Sequence, residues 1–427
     1  TINRRAITLT ASGQEKIYGD ELILDNTAFS TTDLDGDSVL PNGELVKTVT
    51  LVSENGVDAS TDSDVGTYAD NISITPTATG AATLTGNDVF DQENYDISYL
   101  TGDLTINRRE ITLTASGQEK SYGDELALDN TAFTTLDKDG DSVLPNGELV
   151  KTVTLVSENG VDASTDSDVG TYADNISITP TTTGAATLTG SNEFDQENYN
   201  ISYATGDLTI NRRAITLTAS DQSKIYGDVL ALDDTAFSTT DLDGDSVLPN
   251  GEVITNVSIQ SATDKDASTT ADVATYENEI EILSPVAGTP GSGDGFRESN
   301  YDITYVPGDL TINRRAITLT ASGQEKIYGD ELILDNTAFS TTDLDGDSVL
   351  PNGELVKTVT LVSENGVDAS TDSDVGTYAD NISITPTATG AATLTGSNGF
   401  DQENYDISYL TGDLTINRRA ITLAASG

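Results

Sequence analysis

The sequence predicts an all-β chain: a tandem array of four β-sandwich domains of immunoglobulin-like type, set end to end as a rod. Three observations carry this. The string Thr-Ile-Asn-Arg-Arg begins at Thr1, Thr105, Thr209, Thr311 and Thr415, spacings of 104, 104, 102 and 104 residues. That period is domain-sized, unlike the shorter units of solenoids. Within each period, short stretches alternate apolar and polar residues between Gly and Asn turns, and no helical period is present. A β-rich domain of β-grasp type is the alternative topology. The expected boundaries are 1–104, 105–208, 209–310 and 311–414, with 415–427 opening a fifth repeat, as in a piece of a longer array.

Repeat 1 gives the elements in order. Ala6–Ser12 alternates with Ile7 and Leu9 on one face and reads as a strand closed by Gly13. Tyr18-Gly19-Asp20 is a turn, and Leu22 and Leu24 mark a short second strand. Asp33–Ser38 and Pro41-Asn42-Gly43 form a long acidic loop. Leu45–Ser53 reads as one long strand rich in β-branched residues, closed by a turn at Glu54-Asn55-Gly56. Thr67–Ile74, Tyr95–Tyr99 and Asp103–Ile106 complete the unit. Leu104 and Ile106 occupy even positions, whereas Ile111 and Leu113 occupy odd ones. The alternation flips at Asn107-Arg108-Arg109, so the last strand of one repeat is expected to run directly into the first strand of the next. No Gly/Ser-rich or Pro-rich linker intervenes, which predicts a stiff connection.

Composition narrows the function classes. Asp and Glu number 71 against 20 Lys and Arg, a formal charge of -51. Such a chain repels phosphate, which argues against nucleic acid, and attracts divalent cations. Cys, Met, His and Trp are absent, so disulfides, thiolate metal sites and His-based catalytic triads cannot form. Apolar residues make up 36% of the chain, and their patterning argues against disorder. No apolar run is long enough for a transmembrane helix. Four copies of one module in series, with few aromatics, argue against an enzyme.

One acidic pattern has metal-ligand spacing. Asp33, Asp35, Asp37 and Glu44 fall at positions 1, 3, 5 and 12 of a loop, the places an EF-hand uses for Ca²⁺. The Gly expected at position 6 is Ser38, and Pro41 follows at position 9. The pattern recurs as Asp137, Asp139, Asp141 and Glu148; Asp241, Asp243, Asp245 and Glu252; and Asp343, Asp345, Asp347 and Glu354. It is read as a calcium loop inside a β-domain, against the alternative of a solvated acidic turn. Asp58, Asp62 and Asp64 make a weaker cluster, and Asn94 and Tyr95 read as turn and core. Asp20 and Asp103 sit at domain ends, where they could pair with Arg or hold an interdomain ion.

Ten of the 11 arginines lie in the Arg-Arg pairs. Arg108, Arg109, Arg212, Arg213, Arg314 and Arg315 are read as clamps joining neighbouring repeats through carboxylates, because Arg forks two hydrogen bonds and tolerates partial burial. The alternative is a solvated kink that balances local charge.

The Ile-Thr-Leu-Thr-Ala opening, Tyr18-Gly19-Asp20, Asp64–Tyr68, Asn94–Ile97 and Gly102–Ile106 together resemble the MBG-type repeat of large bacterial surface adhesins. The resemblance implies a mostly-β domain in the extender region of a secreted, cell-surface protein for attachment and biofilm formation. Members often lack the Asp-x-Asp-Gly-Asp loop, so the calcium expectation rests on the loop itself and on likeness to acidic extenders of other giant adhesins. The expected function is a calcium-stabilised stalk, monomeric, non-enzymatic and not inserted in a membrane. It would take calcium ions and its own neighbouring repeats as partners. The alternative is that the repeats themselves bind carbohydrate or protein multivalently.

Overall fold

A computed structural model describes residues 1–75, 85–87, 90–179, 189–191, 194–241, 244–287, 295–343, 345–385 and 395–424. The chain forms two compact units, Thr1–Asn211 and Arg212–Gly427, each holding two repeats. Among the described residues the structure is all-β, with three-residue 3₁₀ turns as its only helical elements.

In repeat 1 the strands are β1 (Arg5–Ala11), β2 (Gln14–Ile17), β3 (Phe29–Asp33), β4 (Val46–Thr48), β5 (Leu51–Ser53), β6 (Gly66–Ile74), β7 (Thr85–Gly86), β8 (Tyr95–Leu100) and β9 (Gly102–Asn107). One sheet has the order β3-β1-β8, the other β2-β9-β6-β5, and β4 pairs with β7. Two segments of the repeat, β1–β2 and β8–β9, run parallel in one continuous register, from Arg5 opposite Tyr95 to Ile17 opposite Asn107. Both cross together from the first sheet to the second. The buried parity changes at the crossing: Ile7, Leu9 and Ala11 point inward before it, Leu104 and Ile106 after it. Gly102 is required there, because a Cβ would lie 2.5 Å from the Ala11 carbonyl oxygen.

The two sheets close on one core. In repeat 4, Leu319 and Ala321 of the first sheet pack with Leu361, Ile382, Ile384, Leu414 and Ile416 of the second. Each fully buried Leu or Ile contributes about 1.5–3 kcal/mol, so a core of this size holds a repeat of about 100 residues together. The sandwich is therefore present, but two of its pairings are parallel rather than hairpin-like.

Several expected elements differ. The second strand is Gln14–Ile17 and not Leu22–Leu24; Leu22 instead donates its amide to the Asp58 carbonyl at 2.8 Å. Leu45–Ser53 breaks into β4 and β5 around Val49, whose amide goes to the Asn26 carbonyl. In repeat 3 the same stretch is one strand, Ile254–Ser261. Only Arg108 separates β9 from the next strand, Arg109–Ala115.

Candidate functional site: the joint between repeats

The Tyr18-Gly19-Asp20 turn closes β2, and a buried lysine holds its neighbour in place. Lys16 donates from Nζ to the carbonyls of Val57 (2.5 Å), Asp58 (3.2 Å) and Ser60. Burial lowers its pKa from the ordinary lysine value. This anchors the loop leading to Thr61 and Val65, so turn and loop together present one polar knob.

Repeat 2 supplies the socket. The Pro145-Asn146-Gly147 turn, with Asn146 at φ 58°, swings Glu148 into the joint. Glu148 is buried and accepts from the Tyr18 hydroxyl of repeat 1 and from the Tyr199 hydroxyl of repeat 2, the latter at 2.5 Å. The two tyrosine rings meet edge to face at 5.5 Å. Burial, then the bond to Glu148, pushes both hydroxyl pKa values up. Asn146 exchanges hydrogen bonds with Thr61: Thr61 Oγ1 donates to Asn146 Oδ1 at 2.7 Å, and Asn146 Nδ2 donates to the Thr61 carbonyl at 3.0 Å. Asn198 accepts from the Val65 amide at 2.9 Å and donates to Asp64 at 3.1 Å. Gly19 packs so closely that a Cβ would lie 2.2 Å from Pro145 Cγ.

Arg109 stitches the two sides. It donates to Asp137 (3.1 and 2.7 Å) and Asp139 (3.0 Å) of repeat 2, and to Asp20 (2.8 Å) and the Tyr18 carbonyl (3.3 Å) of repeat 1. Its side chain is 8% exposed and that of Asp137 2%. Burial opposes the Asp137 charge, but Arg109 and two backbone amides outweigh it, and the carboxyl titrates below its ordinary value.

The same joint recurs in the second unit. Glu354 accepts from Tyr226 (2.6 Å) and Tyr405 (2.8 Å). Asn352 exchanges hydrogen bonds with Thr269, and Asn404 takes the Val273 amide at 2.9 Å. Arg315 reaches Asp343 (3.1 Å), Asp345 (2.6 Å) and Asp228 (2.8 Å). Tyr226, Ala271, Ile312, Ile317, Leu350 and Tyr405 form one apolar cluster drawn from both repeats.

The other paired arginines are placed differently. Arg108 donates to Glu197 of its own following repeat at 3.0 Å, and Arg314 to Glu403 at 3.1 Å. Both are exposed. Arg212 is also exposed, and Arg213 pairs with Asp241 at 2.8 Å.

The proposed calcium loop is arranged around a guanidinium. Asp33 accepts Arg5 on one oxygen and the amides of Asp35 and Asp37 on the other, at 3.0 and 2.9 Å. Asp137 and Asp343 are engaged in the same way, and Asp241 takes Arg213 and the Asp245 amide. Asp35, Asp139 and Asp345 lean toward the same arginines. Asp37, Asp141, Asp245 and Asp347 are exposed, and Asp243 lies outside the described residues. The fourth acid of each set turns away: Glu44 accepts from Tyr95, Glu252 from Tyr301 at 2.8 Å, and Glu148 and Glu354 face the joints. Calcium takes about six to eight oxygen ligands. Among the described residues no three such side chains are placed to share an ion. In this arrangement Asp33, Asp137 and Asp343 are each taken by an arginine and two backbone amides, and the fourth acid of each set by tyrosine.

Of the weaker clusters, Asp20 joins Arg109, Asp64 joins Asn198, and Asp103 accepts the Asp70 amide. Sequence reasoning passed over Lys16 and a joint role for Asn146; it gave Glu148 to the acidic loop, Tyr18 to a turn, and Asn94 and Tyr95, the counterparts of Asn198 and Tyr199, to turn and core. One signal was available: lysine stands two residues before every Tyr-Gly, at Lys16, Lys120, Lys224 and Lys326.

Comparison with known proteins gives a family for one repeat. Residues 215–311 match the model of the MBG domain, YGX type. The MBG-type resemblance thus holds in the third repeat, whose Tyr-Gly-x is Tyr226-Gly227-Asp228, and the other repeats carry the same motifs. No curated protein matches the chain. Solved structures similar to it include Drosophila N-cadherin EC1-4 (10% identity, 97% of this chain and 100% of that one, TM-score 0.19) and the Bacillus anthracis TIE protein (10%, 95% and 73%, 0.18). A protocadherin gammaB7 EC3-6 cis-dimer structure is also similar (12%, 90% and 95%, 0.22). Scores this low carry no argument; the fold rests on the strands described above.

Proposed function

We propose that the chain is part of the extender of a bacterial cell-surface adhesin, a spacer whose repeats are locked pairwise by arginine and not by calcium. The observation that supports this is the joint itself. One residue separates the strands of adjacent repeats, and the same Tyr–Glu–Tyr, Asn–Thr and Arg–Asp contacts close it in both units. Such a connection holds neighbours at a fixed angle, which a length-setting module needs and an independent binding module does not. The MBG-type match supports a place among surface adhesins and agrees with a non-enzymatic role.

The multivalent-binding alternative calls for aromatic side chains clustered on one outer face. Among the described residues only Tyr305 and Tyr328 are exposed aromatics. The decisive experiment displays a ligand-binding tip on cells with these repeats, without them, and with an unrelated rigid spacer of equal length. Under the extender reading the unrelated spacer restores attachment; failure to restore it, with the tip still active, would overturn that reading. Chelator tests the calcium clause separately. Thermal unfolding is expected to be the same in chelator and in calcium at matched ionic strength, and a large rise in calcium would refute the arginine lock.

A further inference from the structure

The first and last strands of every repeat are paired with each other, side by side and in parallel. Repeat 2, flanked by repeats 1 and 3, shows the arrangement. Its opening ribbon is Arg109–Ala115 followed by Gln118–Ser121, and its closing ribbon is Tyr199–Ala204 followed by Gly206–Asn211. Arg109 lies opposite Tyr199 and Thr114 opposite Ala204; Gln118 lies opposite Leu208 and Ser121 opposite Asn211. The Tyr122 amide then donates to the Asn211 carbonyl at 2.9 Å. The same registers recur in repeats 1, 3 and 4.

This topology fixes how a repeat meets tension. The chain enters the repeat at Arg109 and leaves it at Asn211, at opposite ends of two ribbons that run the same way. A pull along the chain therefore draws the ribbons past each other along their own length. Six registered pairs in one sheet and four in the other take that load together, and none is loaded ahead of the rest. Both loaded strands are interior to their sheets. Arg109–Ala115 lies between Phe133–Asp137 and Tyr199–Ala204, and Gly206–Asn211 between Gln118–Ser121 and Gly170–Ile178. Sliding also drags the buried side chains of Ile111, Leu113, Leu208 and Ile210 out of the core. A slip of one residue would turn each inward face outward. At the crossing between sheets a Cβ on Gly206 would lie 2.5 Å from the Ala115 carbonyl oxygen, so the two backbones touch there.

We propose that each repeat is a shear clamp that carries tension along the chain, with its opening and closing ribbons as the loaded element. Forced unfolding is governed by the barrier to opening and not by equilibrium stability. A single backbone hydrogen bond contributes little net free energy in water, so the resistance comes from loading many of them at once. The joint completes the path. Arg108 alone separates the closing ribbon of repeat 1 from the opening ribbon of repeat 2, so no slack chain lies between their clamps. The inference goes beyond the extender reading, since setting a length requires no resistance to force. Its test uses the isolated protein and is independent of whether any spacer restores attachment.

The test is single-molecule force spectroscopy on the full chain, which has no cysteine and so accepts handles at chosen sites. Pulled by its ends, the wild-type chain is expected to lose one whole repeat per event. Each event should release roughly 330 Å, from 104 residues at about 3.6 Å each less about 43 Å for the folded span of the ribbons. Direction is then tested with two pairs of handles on exposed side chains of repeat 2. Glu110→Cys/Arg212→Cys pulls the ribbons past each other, whereas Glu110→Cys/Gln196→Cys pulls them apart from their shared starting end, one pair at a time. Both variants should keep the wild-type melting curve, so a difference in force comes from direction alone. The rupture force is expected to be severalfold higher for the first pair. Equal forces in the two directions, a lower force for the first pair, or a wild-type chain whose ribbons strip off in small early steps would overturn the proposal.

Discussion

Replacing Arg315 by alanine should unlock the joint between the third and fourth repeats while leaving both folded. The substitution removes hydrogen bonds to Asp343, Asp345, Asp228 and the Tyr226 carbonyl. Asp345 and Asp228 are 66% and 48% exposed, so those bonds are each worth about 0–1 kcal/mol. The pair with Asp343 is buried, and breaking a buried pair from one side costs about 3–5 kcal/mol. Asp343 keeps two backbone amide donors, which places the loss near the lower end, about 3 kcal/mol, or roughly a hundredfold more opening. Hydrogen exchange read by mass spectrometry reports this directly, because Val273 donates its amide across the joint to Asn404. The peptide Thr270–Tyr276 occurs once in the chain, whereas its counterpart is identical in the other three repeats, so its signal is unambiguous. Arg314→Ala is the control; its exposed pair with Glu403 predicts a change of less than about fivefold. Unchanged exchange at Val273, or the same acceleration in the control, would refute the arginine lock.

Three further outcomes are expected. Gly227→Ala should open the same joint, because its Cβ would meet Pro351 at 2.4 Å; Gly329→Ala carries similar backbone strain at φ +89° but meets only Arg419 at 3.5 Å. Exchange at Val273 should therefore rise for the first variant and not for the second. Lys224→Met should destabilise repeat 3 by about 3 kcal/mol in urea unfolding, since it removes charged donors from the Lys265, Asp266 and Ser268 carbonyls. For acid, Asp137 and Asp343 have folded pKa values below 3.8, so their contribution is complete above that value and declines as pH falls below it. The near-ultraviolet tyrosine signal of the joint should thus hold from neutral pH to about 4 and fade below; loss between pH 7 and 5 would point to other groups.

What the sequence disclosed follows from which interactions are local. Alternation along Ile7–Ala11 and Leu104–Ile106 exposed the strands, because one face of each packs on the core. Leu22 and Leu24 misled for the same reason, since apolar spacing does not tell a strand from a loop tied down by a distant carbonyl. The parallel register of β1–β2 with β8–β9 could not be read, because it joins residues at opposite ends of a repeat. The arginine pair pointed to the joint, yet its two members divide the work: Arg109 is buried across the joint while Arg108 lies on the surface of its own repeat.

The acidic loop shows how one spacing of carboxylates serves a guanidinium as readily as an ion. Acids at alternate positions curl toward a common centre whatever cation sits there, and Asp137 does gather two amides and a positive charge. The charge is a guanidinium delivered by the chain 28 residues earlier, at the point where the strands of two repeats meet. An ion held by loop acids alone would rigidify one repeat and leave its neighbour free. A guanidinium fixed to the backbone between repeats pairs with Asp137 on one side and Asp20 on the other, so the same bonds that neutralise the loop also set the angle of the joint. Glu148 is released by this arrangement to receive Tyr18 and Tyr199. The span from Asp137 to Glu148 is the reach that puts a guanidinium receptor and a tyrosine receptor on one face of one repeat.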